Sequence, residues 1–354
     1  MGMRVRLLIV MALSISLLSA SRVPARAQST LTVQAGANSP DGAIQVTEFF
    51  PATLTVDVGD TVTWNGATGQ LNTVTFGALP FPANDSRRFA TAGGNTYDGN
   101  GFVSSGLIQP NPAKGYSLTF TSTGTFDYQS LTHPGMNGTI VVQPAGSTYP
   151  ASQASYSVTK DPRIGAAVEA GTAALNAQTV VTKVNPDGTM TYTMNAGFGD
   201  GKTFGLARFG AAQITVRAGD TVVWVNHDPS EIHTVTFLAG GQTVPFLLPN
   251  GQINPVASAS SGGTSFAGVG FHSSGILSPS SSYALTFTTA GVYTYACLIH
   301  QSLGMTGTIT VLPAGSKELP PTGGARIGAV GLACLAVVGI GLALRHRPVR
   351  RWRR

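Results

Sequence analysis

Four residues in the second half of the chain have side chains that could together bind a soft metal ion. In the segment TYACLIHQSLGM, Cys297, His300 and Met305 have the spacing C-x2-H-x4-M, and His233 lies upstream in the segment EIHTVTF. A thiolate and a thioether favour Cu(I), whereas imidazoles accept copper in both oxidation states. This set of ligands predicts a blue (type 1) copper site, in which one copper ion gains and loses a single electron.

The segments predicted to form the strands that position these ligands occur twice, once in each half of the sequence. The segment LTVDVGDTVTW at residues 54–64 matches ITVRAGDTVVW at 214–224, and YSLTFTSTGTFDY at 116–128 matches YALTFTTAGVYTY at 283–295. Both halves also contain the pattern GF-x-SSG and end in PAGS. Four matched segments in the same order indicate a duplicated domain.

The matched segments have the pattern of β-strands. Apolar and β-branched residues alternate with polar residues, and Gly-Asp or Gly turns separate the runs. The predicted fold class is therefore all-β, with two tandem Greek-key β-sandwich domains at residues 29–146 and 188–315. The linker between them, residues 147–187, has one possible short helix at residues 163–178, although two glycines disfavour it. Trp64 and Trp224 occupy matching positions and are expected in the two cores.

The second half of the sequence resembles the cupredoxins, the family of plastocyanin and azurin, because it has all four ligand types in the family's order. The resemblance implies a role for each residue: His233 is the upstream ligand, Cys297 the equatorial thiolate, His300 the second imidazole and Met305 the weak axial ligand. The interval from His233 to Cys297 is longer than in a minimal plastocyanin, which predicts an inserted loop around residues 238–268.

The resemblance also implies where an electron leaves the protein. The edge of the His300 ring would be the exit, set in an apolar patch that docks redox partner proteins. Leu298 and Leu303 are the candidates for that patch because they flank His300 in the sequence.

The first half of the sequence keeps only two of the four ligand types. Asn72 and Ser130 stand where the second half has its upstream histidine and its cysteine, whereas His133 and Met136 remain in the segment SLTHPGM. Without a thiolate no blue site can form. We therefore expect the first domain to be a spacer or a docking surface beside the copper domain. A weak residual site that uses the remaining two residues is the alternative.

The two ends of the chain resemble export and anchoring signals. Residues 1–27 have the basic start, apolar run and small residues of a secretory signal peptide, with an N-terminal membrane anchor as the alternative. Residues 319–354 contain LPPTG, an apolar segment at 327–344 that is long enough to be transmembrane, and an arginine-rich tail. LPPTG resembles the LPxTG signal of sortase substrates, which implies that a sortase attaches Thr322 to a bacterial cell wall. A plain transmembrane anchor is the alternative, and both place residues 28–322 outside the membrane.

The net charge of the whole chain does not describe the exported region. The formal charge of +6 would favour an acidic partner such as nucleic acid. However, more than half of the 21 basic residues lie in the two terminal segments, whereas all 15 acidic residues lie between Gln28 and Thr322. The exported region is therefore net negative, and we expect no nucleic-acid partner.

Each ligand taken alone could also have a purely structural role. A lone buried cysteine is usually a small hydrophobic residue, and a lone histidine or methionine usually belongs to the core or the surface. However, an unpaired thiol such as Cys297 is unusual in an exported protein, and its spacing to the histidine and the methionine favours copper. The remaining histidines of the domain lack such a context: we expect His227 in an exposed loop and His272 in a structural role at a strand edge.

We expect an electron carrier rather than an enzyme. Copper oxidases and nitrite reductases pass electrons from the cysteine to neighbouring histidines on a second copper centre. In this chain Cys297 is flanked by Ala296 and Leu298, and the pattern H-x-H is absent from the sequence. Copper storage or delivery is the alternative, but the methionine-rich or histidine-rich runs of such proteins are missing. The expected partners are redox proteins at the cell surface and, during processing, a sortase.

Overall fold

Alternating apolar residues place one face of each strand in a core, and such strands run through the computed structural model. It describes residues 28–317 except residues 68, 81–85, 109–114, 157–160, 239 and 241. The predicted signal peptide at residues 1–27 and the predicted sorting signal at residues 319–354 lie outside the described residues. Within the described part, no helix has the length and apolar character needed to cross a bilayer.

The first sandwich, here called the first domain, is built mainly from the first half of the chain. Its strands are β1 (Thr30–Asn38), β2 (Ile44–Phe50), β3 (Thr53–Asp57), β4 (Thr61–Gly66), β5 (Thr75–Phe76), β6 (Thr91–Ala92), β7 (Thr96–Tyr97), β8 (Val103–Ser105), β9 (Tyr116–Phe120), β10 (Gly124–Gln129) and β11 (Asn137–Gln143). A strand from the second half, β14 (Phe204–Leu206), joins one edge. The two sheets have the orders β14-β2-β1-β4-β9-β7 and β3-β11-β10-β5-β8-β6.

The second sandwich, here called the second domain, has the same plan. Its strands are β12 (Val181–Val184), β13 (Met190–Phe198), β15 (Gln213–Arg217), β16 (Thr221–His227), β17 (Thr236–Phe237), β18 (Ser265–Phe266), β19 (His272–Ser273), β20 (Ser282–Phe287), β21 (Gly291–Ala296) and β22 (Thr306–Leu312). Their sheet orders are β12-β13-β16-β20-β18 and β15-β22-β21-β17-β19. The predicted all-β fold of two tandem sandwiches is confirmed.

Each domain has its own apolar core, and one tryptophan lies in each. Trp64 and Trp224 are fully buried, as the sequence predicts. Each indole meets a tyrosine ring edge to face, Tyr128 in the first domain and Tyr295 in the second, with ring centroids 5.3 Å and 5.2 Å apart. This geometry stabilises aromatic pairs beyond their buried area.

The linker contains the possible helix, and this helix packs against both halves of the chain. Helix α1 (Pro162–Asn176) begins after Asp161, whose carboxylate accepts the backbone N–H of Arg163. It covers β2 and β14, where Ala167 is buried with Phe204. At Gly171 a Cβ atom would lie 2.6 Å from the Ile44 side chain, so this glycine permits the close approach of helix and sheet. A second short helix, α2 (Pro255–Ser258), lies in the predicted inserted loop.

Candidate metal centre

Two segments of the second domain bring the predicted ligands together. His233 lies shortly before β17, and its backbone exchanges hydrogen bonds of 3.1 Å and 2.8 Å with Leu277. Cys297 follows β21 directly, and His300 precedes a single turn of 3-10 helix. Gly304 ends that turn with a φ of +85°, a left-handed conformation that favours glycine. The loop is thereby closed tightly before β22.

Three ligand atoms converge inside the second domain. The Sγ atom of Cys297 lies 3.9 Å from Nδ1 of His233 and 3.5 Å from Nδ1 of His300, and the two Nδ1 atoms are 3.1 Å apart. All three residues are buried. The three atoms lie close enough together for one metal ion to contact all of them. The structure therefore places three of the four residues singled out by the sequence at one point.

Met305, the fourth residue singled out by the sequence, closes the same loop. It is completely buried in the core of the second domain. Its carbonyl oxygen accepts the backbone N–H of Cys297 at 3.0 Å, and its own N–H donates to the carbonyl oxygen of His300 at 3.2 Å. These two hydrogen bonds fix the backbone of Met305 beside both the thiol and the imidazole.

The charges of neighbouring side chains shift the pKa values of two candidate ligands in opposite directions. Burial alone would disfavour a thiolate, but the positive charge of His300 and hydrogen bonds from both ring neighbours hold the pKa of the Cys297 thiol well below its ordinary value. Burial would likewise favour a neutral His300, but the Cys297 thiolate and the Glu231 carboxylate raise the pKa of this imidazole to about 10. Both pKa directions favour the deprotonated thiol, which is the form that ligates a metal.

A threonine beside the upstream histidine supports the sulfur. The backbone N–H of Thr234 donates to Sγ of Cys297 at 3.3 Å. Its Oγ1 atom accepts the N–H of Leu298 at 2.8 Å, which ties the start of the ligand loop to the segment that carries His233. Hydrogen bonds to a ligating thiolate help to set the redox potential of a metal centre.

Glu231 is a member of the centre that sequence reasoning missed. Its Oε2 atom accepts a hydrogen bond of 2.9 Å from Nε2 of His300, and its Oε1 atom accepts one of 2.8 Å from Nε2 of His133 in the first domain. Burial would raise the pKa of Glu231, but the charge of His300 and the hydrogen bonds from both histidines hold it well below its ordinary value. The only sequence signal was its position two residues before His233.

The expected electron exit needs correction. His300 is only 1% exposed, and Leu298 and Leu303 are each 7% exposed, so these residues do not form an open apolar patch. Leu303 packs against the loop glycines Gly42 and Gly69 of the first domain, whereas Leu298 is buried in a cluster with Phe246 and Ala257 of its own domain. Between the two domains lies a cleft that is lined both by apolar side chains, such as Leu71 and Ile299, and by His133, Glu231 and His300. The sequence of one domain could not show that another domain covers its ligand.

Comparisons with known proteins match the second domain. The family model for copper binding proteins of the plastocyanin/azurin family matches residues 198–312. Plastocyanin of Scenedesmus fuscus is 33% identical over 111 residues, which cover 31% of this chain and 93% of that protein. The chain belongs to the plastocyanin/azurin family. Amicyanin of Paracoccus denitrificans is also 33% identical, over 113 residues that cover 31% of this chain and 72% of amicyanin.

Solved structures similar to this plastocyanin/azurin family member include amicyanin mutants. An oxidized methionine-to-lysine mutant of amicyanin is 25% identical, covers 32% of this chain and 82% of its own, and gives a TM-score of 0.22. A methionine-to-alanine mutant of amicyanin with Cu(I) is 20% identical, covers 38% of this chain and 94% of its own, and gives a TM-score of 0.23.

The donor set of this family member fits copper. A thiolate and two imidazole nitrogens meet at one buried point, and a thioether-bearing residue closes the loop. Both ring nitrogens that face this point are Nδ1 atoms, and Nε2 of His300 donates its hydrogen to Glu231. A carboxylate on the far nitrogen is the usual way to fix the orientation and tautomer of a metal-ligating histidine.

The first domain has the same local frame without the thiolate. The N–H of Thr73 donates to Oγ of Ser130 at 3.2 Å, and Oγ1 of Thr73 accepts the N–H of Leu131 at 2.7 Å. Nδ1 of His133, which would face a metal, lies 2.9 Å from Oδ1 of Asn72. Protein hydrogen bonds thus occupy the position that corresponds to the candidate metal centre.

The other two histidines of the second domain lie apart from the three convergent ligands. His227 ends β16 and is exposed, and its Nδ1 atom lies 2.6 Å from Oδ1 of Asn195. His272 starts β19, where Nε2 donates to the carbonyl oxygen of Ser265 and the ring packs edge to face on Phe266. His227 is exposed as predicted but ends a strand instead of lying in a loop, and the surroundings of His272 agree with its expected structural role.

Proposed function

We propose that this chain is a one-electron carrier that acts through a single type 1 copper ion in its second domain. The ligands would be His233, Cys297, His300 and Met305. The observation that carries this proposal is the convergence of a buried thiolate and two imidazoles in a domain of the plastocyanin/azurin family. Copper bound there supplies reversible one-electron transfer.

The chain's own residues would keep the centre rigid. The buried ligands exclude water, since His233, Cys297 and Met305 are inaccessible to solvent. The backbone hydrogen bonds between Cys297, His300 and Met305 fix the conformation of the ligand loop. A ligand set that does not move when the charge of the ion changes lowers the cost of each transfer, because little reorganisation is needed.

The sequence around the cysteine supports a carrier rather than an oxidase or reductase. Ala296 and Leu298, the neighbours of Cys297, cannot ligate a second copper ion, and both are buried in apolar surroundings. Storage or delivery of copper is the second candidate, but its ligands would need ready access to the metal. The complete burial of His233 and Cys297 opposes such exchange.

The proposal includes a location outside the cell membrane. An N-terminal signal peptide at residues 1–27 would direct export, and the segment LPPTG at residues 319–323 would direct sortase attachment to a bacterial cell wall. The partners would then be redox proteins at the cell surface. The order β1-β4-β9-β7 corresponds to β13-β16-β20-β18, and this partial match and the matching sequence segments support an origin of the two domains by duplication.

Cycling between oxidation states distinguishes a carrier from a storage protein. The chain from residue 28 to residue 318 contains every described element and is loaded with Cu(II). Ascorbate should bleach its visible absorbance and ferricyanide should restore it through repeated stopped-flow cycles, with the copper content unchanged. Loss of copper after each reduction would instead identify a delivery protein.

A further inference from the structure

A buried carboxylate joins the two domains at the candidate copper centre. Glu231 uses one oxygen for His300 of the second domain and the other for His133 of the first domain, at 2.9 Å and 2.8 Å. All three residues are buried. A carboxylate accepts hydrogen bonds and cannot donate them, so both histidines present an Nε2–H to it.

The first domain fixes the far end of this bridge. Nδ1 of His133 lies 2.9 Å from Oδ1 of Asn72, and the amide nitrogen of Asn72 donates to the Gln70 side chain at 3.3 Å. These bonds leave Nε2 of His133 directed at Glu231. The imidazole that no longer has a thiolate partner is therefore held in place for a contact with the other domain.

Further contacts between the domains hold the ligand loop itself. Nη1 of Arg208 donates to the carbonyl oxygen of Leu303 at 2.7 Å, and Nη2 donates to the carbonyl oxygen of Asp41 in the first domain, also at 2.7 Å. Strand β14, which ends just before Arg208, pairs with β2 of the first domain. The loop that carries His300 is thus linked to the first domain both through Arg208 and through Glu231.

We propose that the first domain is part of the copper centre: His133, acting through Glu231, orients the ligand His300 and tunes the reduction potential of the copper. This inference rests on the proposed function, because it requires copper at His300. Glu231 and His133 are positioning residues, since each would act on the ion only through His300. This role would explain why the first domain, which has no thiolate, contains the buried and oriented imidazole of His133.

The two positioning residues act in opposite directions. A carboxylate on Nε2–H increases the basicity of the His300 imidazole and stabilises Cu(II), which lowers the reduction potential. The hydrogen bond from His133 draws negative charge away from Glu231 and away from His300. Removing the carboxylate charge should therefore raise the potential, whereas removing the His133 donor should lower it.

The test compares reduction potentials of copper-loaded variants of the chain from residue 28 to residue 318, measured by redox titration of the visible absorbance. Glu231→Gln should raise the potential and weaken copper binding by about 10-fold to 100-fold. His133→Phe should lower the potential, and the double variant should behave like Glu231→Gln. His133→Gln, whose amide can donate to Glu231, should restore the wild-type value. Leu118→Met, a buried change of similar volume in the core of the first domain, is the matched control and should leave the potential unchanged.

The outcomes separate this inference from the proposed function. A wild-type protein without a thiolate-to-copper absorption band would overturn the proposed function. A wild-type band with the same potential in Glu231→Gln as in the wild type would overturn the inference alone. Glu231→Gln tests the carboxylate alone, so a wild-type potential in a folded His133→Phe variant would also overturn the inference. His133→Asn, whose shorter amide would leave Glu231 without its donor, replaces His133→Phe if that variant fails to fold.

Discussion

Two threonines show how single residues shape the ligand loop. Thr234 in the second domain and Thr73 in the first domain each use Oγ1 to accept the N–H of the residue that follows the cysteine position. Each also donates its backbone N–H to the side chain at the cysteine position, which is the sulfur of Cys297 in the second domain and the hydroxyl of Ser130 in the first. The same hydrogen-bonded frame therefore surrounds a metal ligand in one domain and a serine in the other.

Replacing these threonines distinguishes the contribution of their hydrogen bonds to protein stability from their effect on the copper centre. Thr234→Val and Thr73→Val each leave a buried N–H without its acceptor, which should lower the free energy of unfolding by about 1–3 kcal/mol. Denaturant unfolding of the metal-free protein measures this loss. Only Thr234→Val should also shift the visible absorption band of the copper-loaded protein. An equal shift in Thr73→Val would contradict the assignment of the site to the second domain.

The sequence indicates the candidate ligands because the combination of their side chains is chemically uncommon. A cysteine, a histidine and a methionine at fixed spacing after a strand are together typical of a copper site, and the structure brings Cys297 and His300 to His233. Glu231 was not readable, because its partner His133 lies 98 residues away in the chain and in the other domain. A buried carboxylate is stable only beside the right hydrogen-bond donors, and donors that are distant in the sequence cannot be identified from the neighbouring residues.

At the scale of elements, period-two alternation predicted the long strands and gave no information about how the domains join. Strand β14 has three residues, all buried, and it completes a sheet of the first domain although it lies among residues assigned to the second. Such a short segment has no periodicity to read. The two glycines in the linker lower its predicted helix propensity. However, one of them, Gly171, is needed because α1 contacts β2 closely there.

The two glycines of α1 should respond in opposite ways to the same substitution. Gly165 faces open space, so Gly165→Ala should raise the free energy of unfolding by up to about 1 kcal/mol through helix propensity. A Cβ atom at Gly171 would lie 2.6 Å from the Ile44 side chain, so Gly171→Ala should lower stability. Thermal unfolding of both variants measures the difference, and an equal gain at both positions would show that α1 does not pack on β2 as described.

At the scale of the whole molecule, the second domain is built against the first. Strand pairing between β14 and β2, the packing of α1 and the bridge through Glu231 all cross the boundary between the sandwiches. Because these contacts are buried, separating the domains would expose apolar surface and charged groups together. We therefore expect the two domains to unfold as one unit.

The two core tryptophans allow this expectation to be tested. Trp64→Phe leaves Trp224 as the fluorescent reporter of the second domain between residues 28 and 318, and Trp224→Phe leaves Trp64 as the reporter of the first. In each metal-free variant, the fluorescence transition in denaturant should coincide with the circular dichroism transition of the whole protein. A fluorescence midpoint separate from the circular dichroism midpoint would show that the domains unfold independently.

The central claim is a copper–thiolate bond at Cys297, and a visible absorption titration with Cu(II) tests it most directly. The wild-type chain from residue 28 to residue 318 should develop an intense blue band that saturates at one equivalent of copper. Cys297→Ser should show no such band, whereas Ser130→Ala, at the corresponding position of the first domain, should match the wild type. A wild-type protein that binds copper without colour, or a Cys297→Ser variant that keeps the band, would contradict this claim.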